Sequence, residues 1–228
     1  MSVGTGPVGR ADDADGADVV VLDYGSGNLR SAVRALEATG ARVELSADPE
    51  RARTAAGLVV PGVGAFAACM AGLRAVSGDA VVRERATSGR PTLGICVGAQ
   101  VLFASGVEHG ERTDGVGLWP GEVEQLRTRR LPHMGWNEVR PDPGSVLFEG
   151  LDGSRFYFVH SYGVHAVEAL RERGARVTTV QHEDDVFVAG VEDGAVSAVQ
   201  FHPEKSGAAG ARLLSSWVAA LPSGGSQV

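Results

Sequence analysis

Apolar residues along the chain fall into short unbroken runs, separated by segments where they recur every three or four positions. Val19-Val20-Val21-Leu22 is too uniformly apolar for a strand with one wet face and predicts a strand covered on both sides. Gly25-Ser26-Gly27 follows as a turn, and Leu29, Val33 and Leu36 then line one face of a helix. The same order returns. Residues 41–45 and 57–60 predict further strands, the latter ending at Pro61-Gly62-Val63-Gly64, and residues 93–95 predict another that runs through Cys96 into a helix over 97–103. Strands alternating with helices imply a mostly parallel central sheet with helices on both faces, an α/β fold.

Beyond residue 115 the pattern changes. Residues 122–126, 145–148, 155–159, 176–180, 186–189 and 196–200 are short β candidates divided by Gly, Asp and Pro, which predicts a mixed or antiparallel extension of the sheet. A helix over 208–221 closes the chain. Residues 1–17 hold too few large apolar groups to offset their ordering entropy and predict a disordered N-terminal arm; residues 222–228 predict a flexible tail. Residues 18–221 then form a single domain, with no internal repeat and no linker.

With 228 residues, 43% of them hydrophobic, the chain can bury one sizeable core. Its 21 basic and 28 acidic residues give a net charge of −7 without a basic stripe, so no nucleic acid and no acidic membrane surface is expected as a partner. No apolar run approaches the roughly 18–20 residues that cross a bilayer, and the N-terminus lacks the order of a secretory signal. A soluble, cytoplasmic protein is expected. Cys69 and Cys96 are too few for a disulfide framework, so each is expected as a thiol.

One thiol stands out. In Gly94-Ile95-Cys96-Val97-Gly98 the cysteine falls at a strand-to-helix turn, where flanking glycines permit a crowded backbone and the first free N–H groups of the helix favour the thiolate, the attacking form. Cys69, on an apolar helical run without glycine flanks, reads as core. A cysteine nucleophile needs a base, and the base needs a group to orient it. Of six histidines, His109, His165 and His182 lie in polar, loop-like surroundings and are expected in solvent, while His133 and His160 could be structural hydrogen-bonding groups. His202 stands at the end of an apolar run, and Pro203 stiffens the turn that sets Glu204 beside it. Cys96 and His202 each at the C-terminal end of a strand, where ligands bind in open parallel sheets, make the stronger pair. Gly62, Val63 and Gly64 at another strand end, with Val97 after the nucleophile, offer backbone N–H groups to an oxyanion. A redox-sensing thiol on the same turn, needing neither His202 nor Glu204, and a non-catalytic interaction subunit are the readings from other classes.

With Cys96, His202 and Glu204 in that order the sequence resembles class I glutamine amidotransferase domains, which implies a flavodoxin-like three-layer α/β sandwich. Five segments narrow the resemblance to the glutaminase subunits of imidazole glycerol phosphate synthases: residues 23–29 (Asp-Tyr-Gly-Ser-Gly-Asn-Leu), 61–66 (Pro-Gly-Val-Gly-Ala-Phe), 132–137 (Pro-His-Met-Gly-Trp-Asn), 158–162 (Phe-Val-His-Ser-Tyr) and 201–206 (Phe-His-Pro-Glu-Lys-Ser). It covers residues from about 18 to 220. Glutaminases serving anthranilate, guanylate or pyridoxal phosphate synthases share the triad motifs but not the Gly-Asn turn or the segment from His133 to Asn137. The resemblance implies hydrolysis of glutamine to glutamate in histidine biosynthesis, with ammonia passed to a (β/α)8-barrel cyclase subunit, and it implies no metal and no cofactor. Position by position, Cys96 would attack the carboxamide, His202 would protonate the departing ammonia and activate water, and Glu204 would orient His202. Gln100 and the Ser161-Tyr162 backbone would hold glutamine, and Asn28, Trp136, Tyr162 and Lys205 would face the cyclase. Family members usually carry Leu and Met where this chain has the smaller Val97 and Ala99.

Overall fold

A computed structural model describes residues 18–222. The expected arm over 1–17, and the expected tail from residue 223 on, lie outside the described residues. The first half runs β1 (Asp18–Leu22), α1 (Leu29–Glu37), β2 (Arg42–Ser46), α2 (Pro49–Thr54), β3 (Gly57–Gly62), α3 (Phe66–Ala75), α4 (Gly78–Thr87), β4 (Thr92–Cys96) and the single turn α5 (Val97–Gln100). The second half runs β5 (Phe103–Glu108), β6 (Glu111–Asp114), β7 (Trp119–Gln125), β8 (His133–Arg140), β9 (Arg155–His160), β10 (Tyr162–Val164), α6 (Val167–Glu172), β11 (Arg176–His182), β12 (Asp185–Asp193), β13 (Val196–Val199), a 3₁₀ turn (Pro203–Lys205) and α7 (Gly207–Ala219).

A 9-stranded sheet in the order β2-β1-β3-β4-β13-β12-β11-β8-β9 organises the molecule. From β2 to β13 all neighbours are parallel; from β13 to β9 all are antiparallel. The parallel part is the one the alternating pattern predicts. Its inner strands are almost wholly buried, with Val19 to Leu22 and Leu58 to Val60 at 0% exposure. Each such side chain stabilises the fold by about 1.5–3 kcal/mol. The strand expected over 122–126 is β7, but it lies in a second, 4-stranded sheet, β10-β7-β5-β6, and not in the extension of the central one.

Two expected elements differ. Residues 145–148 form turns and not a strand. Leu147 and Phe148 are both buried within this turn. The Glu192 carboxylate holds this turn, accepting from Val146 N and Leu147 N, each at 3.0 Å, and from the Ser145 hydroxyl. The helix expected over 97–103 ends after one turn, because the 115–119 loop takes its carbonyls: Val116 N donates to Val101 O at 2.7 Å and Leu118 N to Leu102 O at 2.9 Å. Phe103 then opens β5, pairing with Trp119.

Arg85 on α4 is wholly buried and has no carboxylate partner among the described residues. Its Nη1 donates to the carbonyls of Ala52, Arg53 and Ala55, its Nη2 to those of Ala56 and Pro91, and its Nε to Thr92 Oγ1. One guanidinium thereby satisfies the C-terminal carbonyls of α2 and the entry to β4. Burial, with Arg90 nearby, pulls its pKa down to about 10, so it stays charged at neutral pH. Arg85→Met is expected to cost at least about 3 kcal/mol, because the buried carbonyls of Ala52, Arg53 and Ala55 lose the guanidinium that donates to them. Urea unfolding measures it, and a loss below about 1 kcal/mol would contradict the clamp.

Candidate active site

The β3 and β4 strands end side by side, Gly62 paired with Cys96. The chain then turns so sharply that Cys96 sits at φ 57°, ψ −118°. Residues other than glycine seldom occupy this region, and the strain costs about 1–3 kcal/mol. Close backbone packing maintains it. A Cβ on Gly98 would lie 1.9 Å from Val60 O, and one on Gly62 would lie 2.3 Å from Gly98 N. Only glycine at these positions lets the turn rest directly on β3, which lifts Cys96 to the C-terminal end of the sheet. Because α5 is a single turn, little macrodipole accumulates, and charge at Cys96 must be met by nearby groups.

The nearest such group is His202. The parallel register of β13 on β4, Val199 opposite Ile95, brings residues 200–202 to the same sheet end. There His202 N donates to Tyr157 O at 3.0 Å, and Ser206 Oγ donates to His202 O at 2.6 Å while accepting from Tyr157 N at 3.0 Å. Inside the turn that Pro203 begins, His202 Nδ1 lies 2.8 Å from Glu204 Oε1, with the two side chains only 4% and 5% exposed. Nδ1 therefore carries a proton towards the carboxylate, and Nε2 is left for Cys96. Burial alone would pull the imidazole's pKa down. Hydrogen bonds to Cys96 and Glu204 and the charges of both outweigh it and push it up to about 9. His202 is thus an imidazolium at neutral pH, suited to pair with a thiolate.

Both residues line one cavity of about 260 Å3, with Val63, Gly64, Val97, Gln100, Glu108, His160, Ser161, Tyr162 and Lys205 around it. Most of the expected site residues line it, while Glu204 stands behind His202 and Gly62, Asn28 and Trp136 lie outside the lining, and the expected oxyanion donors are not equally free. Val63 N donates to Ser26 Oγ at 3.2 Å, which turns that amide away from the cavity. The same loop is held from behind by Tyr24 Oη on Pro61 O and by Cys69 Sγ on Val63 O at 3.3 Å. Burial pushes the Cys69 thiol up, in keeping with a core role.

Gln100 is buried, and its Nε2 donates to Tyr162 O at 2.8 Å and to Gln200 Oε1 at 3.0 Å. Gln200 Nε2 in turn lies 4.0 Å from Cys96 Sγ. The smaller Ala99 borders a void of about 10 Å3 between Gln100, Phe103 and Gln200. Asn28 and Trp136 stand outside the main cavity. Asn28, exposed and left-handed at φ 65°, shares a smaller one with His202 and Glu204. Trp136 is 48% exposed and packs on Tyr157 with ring centroids 6.1 Å apart.

Sequence reasoning missed two residues. Gln200 was visible as the position two before His202, on the same side of an extended segment. Glu108 gave no local signal: its carboxylate reaches the cavity from β5 and caps α3, accepting from Phe66 N at 3.0 Å. His165 and His182, expected in solvent, are partnered instead. His165 lies between Glu124 and Asp185, 2.9 Å from each, and His182 stacks on His133 at 4.2 Å. Exposed His109 agrees with its expectation. No helix among the described residues is long and apolar enough to cross a membrane.

Residues 20–220 match the family described as glutamine amidotransferase class-I. Imidazole glycerol phosphate synthase subunit HisH of Corynebacterium diphtheriae is 59% identical over 204 residues, covering 88% of this chain and 97% of that protein. The HisH subunit of Mycobacterium tuberculosis is 60% identical, covering 89% and 98%. A crystal structure of a glutamine amidotransferase shares the fold with a TM-score of 0.69 at 23% identity, covering 88% of this chain and 97% of that one. The glutaminase domain of Trypanosoma brucei CTPS with bound acivicin shares it with a TM-score of 0.61 at 17% identity, covering 92% and 97%. The chain belongs to the class-I glutamine amidotransferases and, within them, to the HisH family.

Proposed function

We propose that the chain is the glutaminase subunit of an imidazole glycerol phosphate synthase. In this reading it hydrolyses glutamine in histidine biosynthesis and passes the ammonia to a (β/α)8-barrel cyclase subunit, as a cytoplasmic heterodimer. The observation that carries the chemistry is Cys96, on its strained turn, sharing one cavity with His202, whose Nδ1 is held from behind by the buried Glu204 carboxylate. At about 260 Å3 the cavity falls below the roughly 300–1,000 Å3 of sites for larger ligands, which suits a single amino acid.

The Cys96 thiolate attacks the carboxamide carbon, forming a C–S bond and an oxyanion. His202 gives its Nε2 proton to the amide nitrogen, the C–N bond breaks, and ammonia leaves a glutamyl thioester on Cys96. Water then attacks the thioester as His202 takes its proton; the C–S bond breaks, glutamate departs, and the thiolate–imidazolium pair is restored. Glu204 keeps Nδ1–H in place throughout. The α-ammonium of glutamine suits the Glu108 carboxylate, and Gln100 with the Ser161-Tyr162 backbone holds the rest. Tyr162 and Lys205 at the cavity, Asn28 beside His202 and Glu204, and the exposed Trp136 form the face for the cyclase.

Oxyanion stabilisation comes from Val97 N–H and from the loop Gly62, Val63 and Gly64. Since Val63 N–H is given to Ser26, the isolated chain is expected to be nearly inactive until the liganded cyclase reorients that peptide. Ser26→Ala removes the competing acceptor, worth about 0.5–1.5 kcal/mol. It is expected to raise glutamate release by the isolated chain about two- to tenfold. Unchanged release would contradict this role for Ser26.

The reading as a whole is tested with amide-15N glutamine, the cyclase subunit and its nucleotide substrate, in the presence of excess unlabelled ammonium. Full retention of the label in the imidazole product is expected. Dilution to the level of the bulk ammonium would remove the direct transfer.

A further inference from the structure

Alternate residues of β8 face opposite ways. Met134 and Trp136 are 62% and 48% exposed, whereas His133 is buried and stands opposite His160 of β9. The inner side chains form one line of hydrogen bonds. His160 Nδ1 lies 2.8 Å from Tyr162 O, His160 Nε2 lies 3.1 Å from His133 Nδ1, and His133 Nε2 lies 3.3 Å from Asn137 Nδ2.

Every proton in this line has one place. A carbonyl only accepts, so His160 carries its proton on Nδ1. Its Nε2, in a neutral ring, then accepts, which puts the His133 proton on Nδ1 and leaves His133 Nε2 to accept as well. The donor there is Asn137 Nδ2, whose orientation is fixed because it also donates to Gln181 O at 2.8 Å. Either ring, if doubly protonated, would set two donors face to face. Both rings are held neutral. Burial, helped by His160 and His182, takes His133 down to about 3. Burial, with His182 and His202 nearby, takes His160 down to about 4 against the pull of the Tyr162 carbonyl.

At the far end Tyr162 O receives a second bond, from Gln100 Nε2 at 2.8 Å. We propose that His133 and His160 are positioning residues for glutamine: the uncharged one-way chain from Asn137 through His133 and His160 to Tyr162 O fixes the Ser161-Tyr162 peptide against Gln100. The proposal rests on the reading of this cavity as the glutamine site. It also gives β8 two linked faces, since the strand that offers Trp136 to a partner carries on its inner side the chain that ends at the substrate. Strain on β8 is thereby felt at Tyr162 O.

Steady-state kinetics of the full chain in complex with the cyclase subunit test this, comparing wild type with His133→Phe and His133→Asn. Phenylalanine preserves the ring stacking, 4.8 Å from Phe158 and 4.2 Å from His182, but gives His160 no hydrogen bond. Asparagine replaces the Nδ1–H with an amide donor. His133→Phe is expected to raise KM for glutamine about three- to tenfold, the worth of one hydrogen bond, with kcat little changed. His133→Asn is expected to recover most of that loss. An unchanged KM in His133→Phe, or an equal rise in both variants, would overturn the proposal. Imidazole 15N spectra of the wild-type chain give a second reading that needs no variant to fold. Both rings are expected neutral with the proton on Nδ1 at neutral pH, and an Nε2–H form of either ring would overturn the chain. If the wild-type complex hydrolyses no glutamine, the amidotransferase reading fails instead, and the 15N spectra still decide the hydrogen-bond chain.

Discussion

Cys96→Ala is expected to lower glutamine hydrolysis by at least about 10⁴-fold, the scale on which a covalent nucleophile contributes when its base and oxyanion donors remain. The fold should tolerate the change. Removing the sulfur leaves the strained turn as it is, because the turn is enforced by Gly62 and Gly98 against Val60 and not by the thiol. The expected variant is a folded chain that still binds glutamine and its partner but forms no thioester. Acid-quenched mass spectrometry should find a glutamyl adduct on Cys96 in the wild type and none in the variant. Cys69→Ala is the control: its thiol faces Val63 O behind the loop, and the thioester should still form. An adduct on Cys69, or turnover by Cys96→Ala near the wild-type rate, would refute the assignment.

Glu204→Gln is expected to cost about 10²- to 10⁴-fold in the rate, because an amide facing Nδ1 neither holds the required tautomer nor stabilises the imidazolium. The effect on titration has a definite sign. Burial lowers the pKa of His202, and Cys96 and Glu204 together raise it to about 9. Without the Glu204 charge the value must fall, and the proton that should go to the departing ammonia becomes scarcer at neutral pH. Imidazole NMR on both forms checks this, and an unchanged midpoint in Glu204→Gln would show that the carboxylate is not what raises it. The same shift bears on stability. A histidine whose folded pKa exceeds its unfolded value of about 6.5 stabilises the fold fully below that pH, and the contribution is lost as pH rises through about 9. Wild type should therefore lose stability over that alkaline window, and Glu204→Gln should lose less.

The parallel half of the sheet was legible because each strand is covered on both faces and reads as an unbroken apolar run, as Val19 to Leu22 does. The grouping of Cys96, His202 and Glu204 was legible because Cys96 ends β4, His202 follows β13 by three residues, and Gly98 and Pro203 shape the turns that present them. What stayed hidden is set by partners distant in sequence. The helix after Cys96 stops early because the 115–119 loop takes its carbonyls, and residues 145–148 curl because Glu192, far along the chain, supplies their acceptors. Glu108 sits on β5, an element with no clear alternation, and so gave no sign that its carboxylate reaches the cavity. His165 looks like a loop histidine until Glu124 and Asp185 arrive from two other strands. In each case a local pattern proposes a structure and a hydrogen-bond partner remote in sequence decides it.

The most direct test of the account is glutamate release from glutamine by the purified chain, measured alone and then with the cyclase subunit and its nucleotide substrate. The account predicts little release alone and strong release in the complete mixture, abolished by Cys96→Ala. No release in either condition, with the complex shown to form, would contradict it.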